Sequence, residues 1–397
     1  MLKIGIFTDC YDPGIGGIQT SIKMLKSSLE NLGHQVYIFT SETTNKQVPK
    51  ENFVTRIQGI KLFRNLVPDY KIIFNFSKYL SQIKLLKLDI IHIHTEFSMS
   101  QLGLYIHKKL QIPAVYTMHT MHKCFLQKSH LPVWIQKLLF IYIKKRIKKL
   151  VTKTNITIVP TKKILILMQE NYQISGNYKI MPTGLNLTNF YKENYSLNRI
   201  NTLKDKLNLQ DFFVCLYVGR LSPEKEINYL IDAFAELNCV NFQTKFLIIG
   251  DGPEKKNLIK QAKKLGISDK VIFLGFIPYE QLGVYYQLGD VFINASLFET
   301  QGLTYIEALA ASLPLIVRYD QVLSNVIKDG QNGFFYCQKN ELVQLLIKLS
   351  HSKELCVNLS NQTRQVVIFY SQENFGANIL KLYLDVITKY QQYQQNN

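Results

Sequence analysis

The chain has 397 residues, of which 47% are apolar and 19% charged, which predicts a soluble globular protein of two domains. Its formal net charge of +18 lies wholly in residues 1–200, which hold 28 Lys or Arg and 10 Asp or Glu, whereas residues 201–397 hold 19 of each. No long uncharged apolar run is present, which argues against a membrane span. Six scattered cysteines without a Cys-x-x-Cys pair argue against a disulfide or zinc framework and favour a reducing cytosol.

The first half alternates short apolar runs rich in Val, Ile and Phe with helical patterns, as buried parallel strands in βαβ units do. Strands are predicted at Lys3–Thr8, Val36–Thr40, Asp89–His94, Ala114–Met118, Thr157–Val159 and Lys179–Met181. Helices are predicted at Ile18–Leu32 and Leu102–Leu110. Because a strand already begins at Lys3, we expect no signal peptide.

Three glycines follow the first strand in the segment Pro13-Gly-Ile-Gly-Gly-Ile-Gln19, directly before a helix. Glycines in this position let the backbone approach a ligand closely and direct its N–H groups at an anion. The spacing differs from the G-x-G-x-x-G dinucleotide fingerprint, and a flexible turn would have a similar composition. Both interpretations stay open at this point.

Histidines mark the ends of two strands in the first half. His119 follows the strand Ala114–Met118, and an imidazole there could donate a hydrogen bond to a sugar hydroxyl or accept one. His92 and His94 alternate on one face of the preceding strand, with Glu96 beyond them. Their spacing does not match a metal-binding cluster. A polar strand end near the cleft for an acceptor substrate is therefore favoured over a metal site.

Two segments of the first half combine the excess positive charge with large apolar residues. In residues 134–150, helical spacing puts Trp134, Leu138 and Ile141 on one side and Ile143, Ile147 and Leu150 on another. The basic residues of this segment are Lys137, Lys144, Lys145, Arg146, Lys148 and Lys149. The second segment, Ile60–Leu88, contains Lys61, Arg64, Lys71, Lys78, Lys84 and Lys87 among Phe63, Tyr70, Phe74, Phe76 and Tyr79.

Such segments are typical of helices that lie in a membrane interface with their lysines on lipid phosphates. An anionic membrane surface is therefore the favoured partner of the basic half. Ordinary domain helices with basic outer faces are the alternative, because lysine stems often cover packed helices. Nucleic-acid binding is disfavoured because no nucleic-acid module is recognisable.

The second half repeats the α/β pattern after a turn at Pro182 and Gly184 and an irregular polar stretch that extends to about Lys204. Its strands are predicted at Phe213–Val218, Lys245–Ile249, Val271–Leu274, Val291–Ile293, Leu315–Val317 and Gly333–Phe335. Its helices include Asn228–Leu237, Glu254–Leu265, Tyr305–Ala311 and Asn378–Tyr390, the last followed by a polar tail that we expect to fray. The predicted fold class is therefore α/β, with two doubly wound parallel sheets.

Three loops at strand ends of the second half contain cations, glycines or prolines. Val218-Gly-Arg-Leu-Ser-Pro-Glu-Lys225 offers two cations, Arg220 and Lys225, after the first strand. Fixed cations neutralise charge that develops on a departing phosphate, although an isolated basic pair is usually a solvated face. Ile249–Glu254 and Phe273–Pro278 are Gly- and Pro-containing turns with little specificity on their own.

The segment Phe298-Glu-Thr-Gln-Gly-Leu-Thr-Tyr-Ile-Glu-Ala-Leu-Ala310 is the most informative stretch. Glu299 lies in the loop after a strand, Gly302 begins a helical pattern, and Glu307 falls on that helix. Ligands bind at such strand-to-helix crevices, and a helix N-terminus favours anions. The bare pair of acids would equally describe two solvated carboxylates on a helix face.

Taken together, these motifs resemble those of the retaining nucleotide-sugar glycosyltransferases of family 4, which have the GT-B fold of two Rossmann-like domains facing across a cleft. The match covers nearly the full length, and it is greatest to the bacterial 1,2-diacylglycerol 3-glucosyltransferase group. The segments that favour this group are Glu299–Thr304, Ile91–Phe97 and the basic first domain. Glu226 departs from the pattern, since related chains often have Asn or Gly there, and residues 121–126 are unusually basic and apolar.

The resemblance implies an acceptor- and membrane-facing domain at 1–187, a nucleotide-sugar-binding domain at 188–375, and a C-terminal helix at 376–397 that packs back on the first domain. It assigns the catalytic roles to Arg220, Lys225, Glu299 and His119, the last of which would contact the donor hexose. The implied donor-binding residues are Gly16, Gly17, Gly252, Phe276, Ile277, Gln301, Gly302, Leu303 and Glu307. No metal site is implied.

The implied reaction moves glucose from UDP-glucose to the 3-hydroxyl of 1,2-diacylglycerol with retained anomeric configuration. The enzyme would act as a cytoplasmic, peripheral protein on the inner face of the cell membrane, with no tightly bound cofactor and no required divalent metal. Whether Glu299 acts as a nucleophile or only positions the sugar stays open. An already glucosylated lipid or a polyprenyl or polysaccharide acceptor is an alternative. A non-catalytic protein that binds membranes or nucleic acid is an alternative of another class.

Overall fold

The computed structural model describes residues 1–11, 16–42, 51–60, 71–127, 131–241, 243–296 and 298–396, without the side chains of residues 124 and 125. Two predicted features fall partly outside the described residues. One is the start of the glycine loop, Pro13 to Ile15. The other is the part of the second basic segment that contains Lys61, Phe63, Arg64 and Tyr70.

The strands of the first half are β1 (Lys3–Thr8), β2 (Gln35–Ser41), β3 (Val54–Ile57), β4 (Ile90–Ile93), β5 (Ala114–Thr117), β6 (Ile156–Val159) and β7 (Tyr178–Ile180). Those of the second half are β8 (Phe213–Val218), β9 (Thr244–Ile249), β10 (Val271–Gly275), β11 (Val291–Asn294), β12 (Leu315–Arg318) and β13 (Gly333–Tyr336).

The helices before residue 210 are α1 (Gly17–Asn31), α2 (Ser77–Leu86), α3 (Ser98–Leu110), α4 (His122–Gln127), α5 (Val133–Lys153), α6 (Lys162–Ile166) and α7 (Leu197–Lys206). The later helices are α8 (Ile227–Val240), α9 (Lys255–Lys264), α10 (Tyr279–Tyr286), α11 (Leu303–Ala310), α12 (Lys339–Ser350), α13 (Lys353–Asn361), α14 (Arg364–Val367) and α15 (Gln372–Gln395).

Every predicted strand is confirmed, with ends that agree to within one residue. The sequence analysis missed β3, and the reason is its position at the edge of the sheet. Of its four residues only Ile57 is fully buried, so it lacks the continuous apolar run that marks the inner strands.

Each half of the chain contains one parallel sheet with the strand order of a doubly wound fold. The first has the order β3-β2-β1-β4-β5-β6-β7, and the second has the order β10-β9-β8-β11-β12-β13. The strand order reverses between β1 and β4 and between β8 and β11. Ligands of such sheets bind beyond the carboxyl ends of the strands at this reversal.

Helices cover both faces of each sheet. Successive strand residues point to opposite sides, so the apolar strands contribute side chains to a core on each face. In β1, Ile4 and Ile6 belong to one buried apolar cluster, whereas Phe7 belongs to the cluster on the other face. The second sheet is likewise enclosed by two clusters, with Leu216 in one and Tyr217 in the other. In the described part of the chain, no helix has both the length and the apolar character needed to cross a membrane.

The chain divides into two compact units, residues 1–184 with 372–397 and residues 185–371. The chain enters and leaves the second unit at one place, where the Leu185 N–H donates to the Tyr370 carbonyl at 2.9 Å and Leu185 bridges to Ser371.

The C-terminal helix α15 belongs to the first unit and packs against α1. Phe375, Ile379, Leu382, Tyr383 and Val386 form its buried stripe, at the spacing of an amphipathic helix. The Ser28 hydroxyl donates to the Gln372 carbonyl at 3.1 Å. The helix is longer than predicted at both ends, because this stripe begins before Asn378 and the polar tail remains helical to Gln395.

We predict that Gly376→Leu destabilises the first unit by about 1–3 kcal/mol, the usual cost of overpacking a tight contact. A Cβ atom at Gly376 would lie 2.6 Å from the Ser28 Cβ on α1, so a larger side chain must separate the helices. Urea unfolding monitored by circular dichroism measures the change in the free energy of unfolding. The matched control is Ala377→Leu on the exposed side of α15. Equal stability of the two variants would contradict this account of the α1–α15 packing.

Candidate functional site

The strand ends of the second unit approach one another through glycine backbone. The Gly219 N–H donates to the Ile249 carbonyl at 3.0 Å, and the Gly250 N–H donates to the Gly275 carbonyl at 2.8 Å. Gly250 has a φ of +140°, and a Cβ atom there would lie 1.9 Å from the Gly219 oxygen. Glycine is therefore required at position 250, because any side chain would separate the loops that follow β8 and β9.

Gly252 has the same role one step further along the loop. A Cβ atom at this position would lie 2.3 Å from the Leu221 carbonyl oxygen, and the Leu221 N–H donates to the Asp251 carbonyl at 3.0 Å. The loop that contains Gly252 is thus held against the one that contains Arg220. Of the other predicted nucleotide contacts, Phe276 is 47% exposed after β10, whereas Ile277 packs against the core.

An ion pair joins two of the predicted catalytic residues. Lys225 ends a short 3₁₀ turn after β8, and Glu299 lies in the loop after β11, the neighbouring strand across the reversal. The Lys225 Nζ lies 2.6 Å from the Glu299 Oε1, and the two side chains are 22% and 11% exposed. A charge-assisted bond of this length fixes both side chains at the carboxyl edge of the sheet.

Arg220, the second predicted cation, lies on the same loop and is exposed. Its backbone carbonyl accepts a hydrogen bond from the Tyr217 hydroxyl at 3.2 Å, so its main chain is held by a residue of β8. The guanidinium is therefore displayed at the end of β8, where it is accessible to an anionic ligand.

Glu226, which departs from the family pattern, adopts the left-handed conformation with a φ of +48°. Asn and Gly adopt this conformation more readily than Glu. In this chain, the Arg318 Nη1 donates to the Glu226 Oε2 at 2.7 Å, and the Arg318 guanidinium lies over the Tyr229 ring. This partly buried pair compensates the unfavourable backbone and holds the turn that ends in Lys225.

The other acid of the predicted pair is buried on helix α11. Gly302 is the N-cap of this helix with a φ of +79°, and Gln301 before it is buried. Glu307 is 4% exposed and accepts a hydrogen bond from the Tyr286 hydroxyl at 2.7 Å. Burial raises the pKa of Glu307 to about 7, although the bond from Tyr286 acts in the opposite direction. Leu303 begins α11, so the predicted phosphate-facing N–H groups lie at the positive end of its dipole.

In the first unit, Gly16 is the N-cap of α1 and Gly17 is its first helical residue. The φ of Gly16 is 166°, an extended conformation that any residue can adopt. The described part of the loop therefore shows a helix start after β1, at the sheet reversal, without a backbone conformation that demands glycine.

His119 lies beyond β5 and is paired with His94, which follows β4. The His94 Nδ1 lies 2.9 Å from the His119 Nε2. Burial lowers the pKa of His119 to about 4, so its imidazole is neutral at physiological pH. His92 is satisfied on both sides, since its two nitrogens each lie 2.6 Å from a hydroxyl, that of Tyr383 on α15 and that of Thr117.

Among the described residues, no three His, Cys, Asp or Glu side chains lie in an arrangement that could hold a metal ion. The three histidines instead form hydrogen-bonded pairs with hydroxyls and with one another.

A buried carboxylate next to these histidines was only noted in passing by the sequence analysis. The Tyr116 hydroxyl donates to the Glu96 Oε1 at 2.6 Å, and the His122 Nε2 lies 3.1 Å from the Glu96 Oε2. Burial raises the pKa of Glu96, but the proximity of His122 and the bond from Tyr116 outweigh it, so that the pKa is lowered. Glu96 is therefore a buried carboxylate at neutral pH.

Asp9 was missed by the sequence analysis. It follows β1, is 2% exposed, and accepts hydrogen bonds from the Thr95 hydroxyl at 2.6 Å and from the Met99 N–H at 3.1 Å. Burial raises the pKa of Asp9 to about 6, although these two hydrogen bonds lower it. An acid directly after the first strand of a doubly wound sheet was the signal that could have identified it.

Arg146, one of the basic residues of helix α5, points its guanidinium inward. Its Nε donates to the Glu96 carbonyl at 3.1 Å, and its Nη2 donates to the Phe97 carbonyl at 2.9 Å. Arginine can make these simultaneous bonds because its donors form a rigid fork. Arg146 thus holds the loop that contains Glu96.

The sequence matches two family descriptions, Glycosyltransferase Family 4 over residues 15–189 and Glycosyl transferases group 1 over residues 199–366. It is 41% identical to the alpha-monoglucosyldiacylglycerol synthase of Acholeplasma laidlawii, over 98% of both chains. It is 33% identical to the protein of the same name from Streptococcus pneumoniae, over 97% of this chain and 86% of the relative.

The fold is similar to that of Anabaena HepE, whose crystal structure was solved in complex with UDP-glucose. The TM-score is 0.75 at 17% sequence identity, with 97% of this chain and 100% of the HepE chain covered. The chain therefore belongs to the family 4 glycosyltransferases and is a hexosyltransferase with the two Rossmann-like domains of the GT-B fold.

Proposed function

We propose that this enzyme transfers glucose from UDP-glucose to the 3-hydroxyl of 1,2-diacylglycerol, with retained anomeric configuration. The observation that supports the acceptor and the sugar most directly is the 41% identity to a monoglucosyldiacylglycerol synthase over 98% of both chains. The UDP-glucose complex of a protein with the same fold supports the donor. The arguments below concern how this chain's residues would perform the reaction.

The cations on the loop after β8 would stabilise the departing diphosphate. Cleavage of the bond between glucose and phosphate builds negative charge on the phosphate oxygens, and fixed positive groups lower that barrier most when they are oriented in advance. Lys225 is held in this way by Glu299, at 2.6 Å. Arg220 on the same loop is exposed and offers the planar guanidinium that suits phosphate oxygens.

The nucleotide would bind around the start of α11 and the loops after β9 and β10. The N–H groups of Gln301, Gly302 and Leu303 would face the phosphates, where the helix dipole adds favourable potential. The Glu307 carboxyl would accept hydrogen bonds from the ribose hydroxyls, while Gly252, Phe276 and Ile277 would border the base and ribose. The exposure of Phe276 leaves its ring accessible for such a contact.

Glu299 would position the sugar rather than attack it. A carboxylate 2.6 Å from an ammonium group has much of its charge compensated, which makes it a poor nucleophile. Retention is then explained by attack of the acceptor hydroxyl on the face from which the diphosphate leaves. The leaving phosphate oxygen takes the acceptor's proton, and Glu299 hydrogen-bonds the hydroxyls of the glucose.

The acceptor is insoluble in water, so the enzyme must reach it at a bilayer surface, and α5 in the first unit suits that task. Ile143, Ile147 and Leu150 are buried against the unit. On another side of the helix, Trp134, Leu138 and Ile141 are exposed by 64%, 59% and 63%. Both faces are those that the spacing predicts.

The exposed lysines of this helix are Lys137, Lys145, Lys148 and Lys149. Such a helix would insert its apolar side into the lipid interface and place its lysines on anionic headgroups, which makes the enzyme a peripheral protein of the inner membrane face. The second basic segment adds exposed apolar residues near α2, with Phe74 exposed by 60% and Leu85 by 80%.

The reaction itself is tested with radiolabelled UDP-glucose and vesicles that contain diacylglycerol, with products separated by thin-layer chromatography. We expect one new labelled glycolipid with the mobility of α-monoglucosyldiacylglycerol, and its digestion by an α-glucosidase establishes the retained configuration. Transfer only to added monoglucosyldiacylglycerol, or a β-linked product, would overturn the proposal. Release of free glucose without any lipid product would refute the assignment of diacylglycerol as the acceptor.

We predict that Lys225→Ala lowers kcat by about 100-fold or more, because one fixed group that stabilises the developing charge is lost. Arg220→Ala should have an effect in the same direction. The matched control, Lys206→Ala, removes an exposed lysine of the same unit. Vesicle binding of all three variants should equal that of the unchanged enzyme. Parallel loss of turnover and membrane binding would argue against a role in leaving-group stabilisation.

We also predict that Trp134→Ser with Ile141→Ser weakens binding to anionic vesicles by about tenfold or more. The reason is that two apolar side chains that would be buried in the lipid interface are lost. Raising the salt from about 0.1 M to about 1 M should release the enzyme, because the screening length falls to about 3 Å. The control, Leu197→Ser with Val240→Ser, removes two exposed apolar residues of the second unit. Flotation measures binding, and a water-soluble short-chain diacylglycerol measures the intact chemistry. Salt-independent flotation, or equal loss in the control, would contradict the role of α5.

A further inference from the structure

His94, one of the histidines at the strand ends, has a buried nitrogen without a hydrogen-bond partner within the described structure. It is 1% exposed, and its Nδ1 lies 2.9 Å from the His119 Nε2. Its other nitrogen, Nε2, is buried without a hydrogen-bond partner among the described residues. The rings of His94 and His119 are nearly parallel, at an angle of 16°. The proton positions in this pair can therefore be argued from the surroundings of both His94 nitrogens.

Both imidazoles are neutral at physiological pH. Burial lowers the pKa of His94 well below its usual range and that of His119 to about 4. A neutral imidazole has one N–H and one bare nitrogen. The bond between the two rings therefore has two possible directions, and each direction fixes where the remaining proton lies.

In the first arrangement, His119 Nε2–H donates to His94 Nδ1. The proton of His94 must then lie on Nε2, which is a buried donor without a partner among the residues that the structure describes. Such an unsatisfied donor costs about 1–3 kcal/mol. In the second arrangement, His94 Nδ1–H donates to His119 Nε2, and only a bare nitrogen of His94 is left unmatched. Buried donors without partners are rarer than under-satisfied acceptors, which favours the second arrangement.

We propose that His94 is a positioning residue that donates Nδ1–H to His119 Nε2 and so fixes the proton of His119 on Nδ1. His119 then offers a hydrogen-bond donor, not an acceptor, to its ligand. The complementary group is an oxygen lone pair, and in this enzyme that is a hydroxyl oxygen of the glucose being transferred. The identity of the ligand rests on the proposed function, whereas the position of the proton does not.

Hydrogen bonds of His92 support this arrangement by holding the neighbouring ring. The His92 ring lies 4.0 Å from that of His94, centroid to centroid, and both of its nitrogens are bonded to hydroxyls, that of Tyr383 and that of Thr117. His92 therefore has no nitrogen available to receive a proton from His94. The donor of His94 can be used only toward His119 among these groups.

The proton position is measured directly in the ligand-free enzyme labelled with ¹⁵N-histidine. Long-range ¹H–¹⁵N correlation spectra distinguish the Nδ1–H from the Nε2–H form of each imidazole, and the signals of His119 are those missing from His119→Gln. We expect the Nδ1–H form for His119 and for His94. The Nε2–H form for His119 would overturn the proposal whatever the activity of the enzyme.

Two variants distinguish a positioning role of His94 from a purely structural one. His94→Phe keeps an aromatic ring but removes the donor, whereas His94→Asn keeps an amide N–H near the position of Nδ1. We expect His94→Phe to abolish the preference of His119 for Nδ1–H and to lower kcat/KM for UDP-glucose by about 10- to 100-fold, as for one lost hydrogen bond. His94→Asn should restore both toward the original values.

The outcomes remain distinguishable from a failure of the proposed function. Unchanged His119 signals and kinetics in His94→Phe would overturn the role of His94. If His94→Phe does not fold, the spectra of the unchanged enzyme still decide the proton position. An Nδ1–H form of His119 in an enzyme that transfers no glucose from UDP-glucose would leave the tautomer standing and refute only the assigned ligand.

Discussion

The ion pair between Lys225 and Glu299 is the interaction on which the proposed chemistry depends most. Both side chains are largely withdrawn from water and their charged atoms are 2.6 Å apart, so each compensates the cost of burying the other. The pair also spans the sheet reversal, because one residue follows β8 and the other follows β11. In the proposed reaction, the cation that would stabilise the diphosphate and the carboxylate that would bind the sugar are thus oriented by one bond before any substrate binds.

Two further contacts hold the turn that contains Lys225. Glu226, directly after Lys225, has a left-handed backbone and is held by Arg318 from the end of β12. The tight contact between Gly219 and Gly250 fixes the start of the same loop. A substitution that loosens either end would move Lys225 without touching it, so losses of activity at these positions should be interpreted as losses of orientation.

The sequence was sufficient to predict the strands of both sheets and most of the polar residues that lie at the strand ends. Buried parallel strands appear as uninterrupted apolar runs, which is why their limits could be placed so closely, whereas the half-exposed β3 could not. The pairing of Lys225 with Glu299 could not be predicted from the residues alone, because 74 positions separate them and each had a separate assigned role. The inward orientation of Arg146 could not be predicted for a related reason. Composition locates charge on a helix but does not show which side chain turns inward.

The buried titratable groups at the strand ends of the two units differ in their partners. In the second unit, Glu299 has an ammonium partner, and burial raises the pKa of Glu307, whose described partner is a tyrosine hydroxyl, to about 7. In the first unit, burial keeps His92 and His119 neutral, so they act only as hydrogen-bonding groups. The positive charge of that unit resides instead on surface lysines such as those of α5. The lysine charge of that unit is thus placed where water or an anionic surface can compensate it.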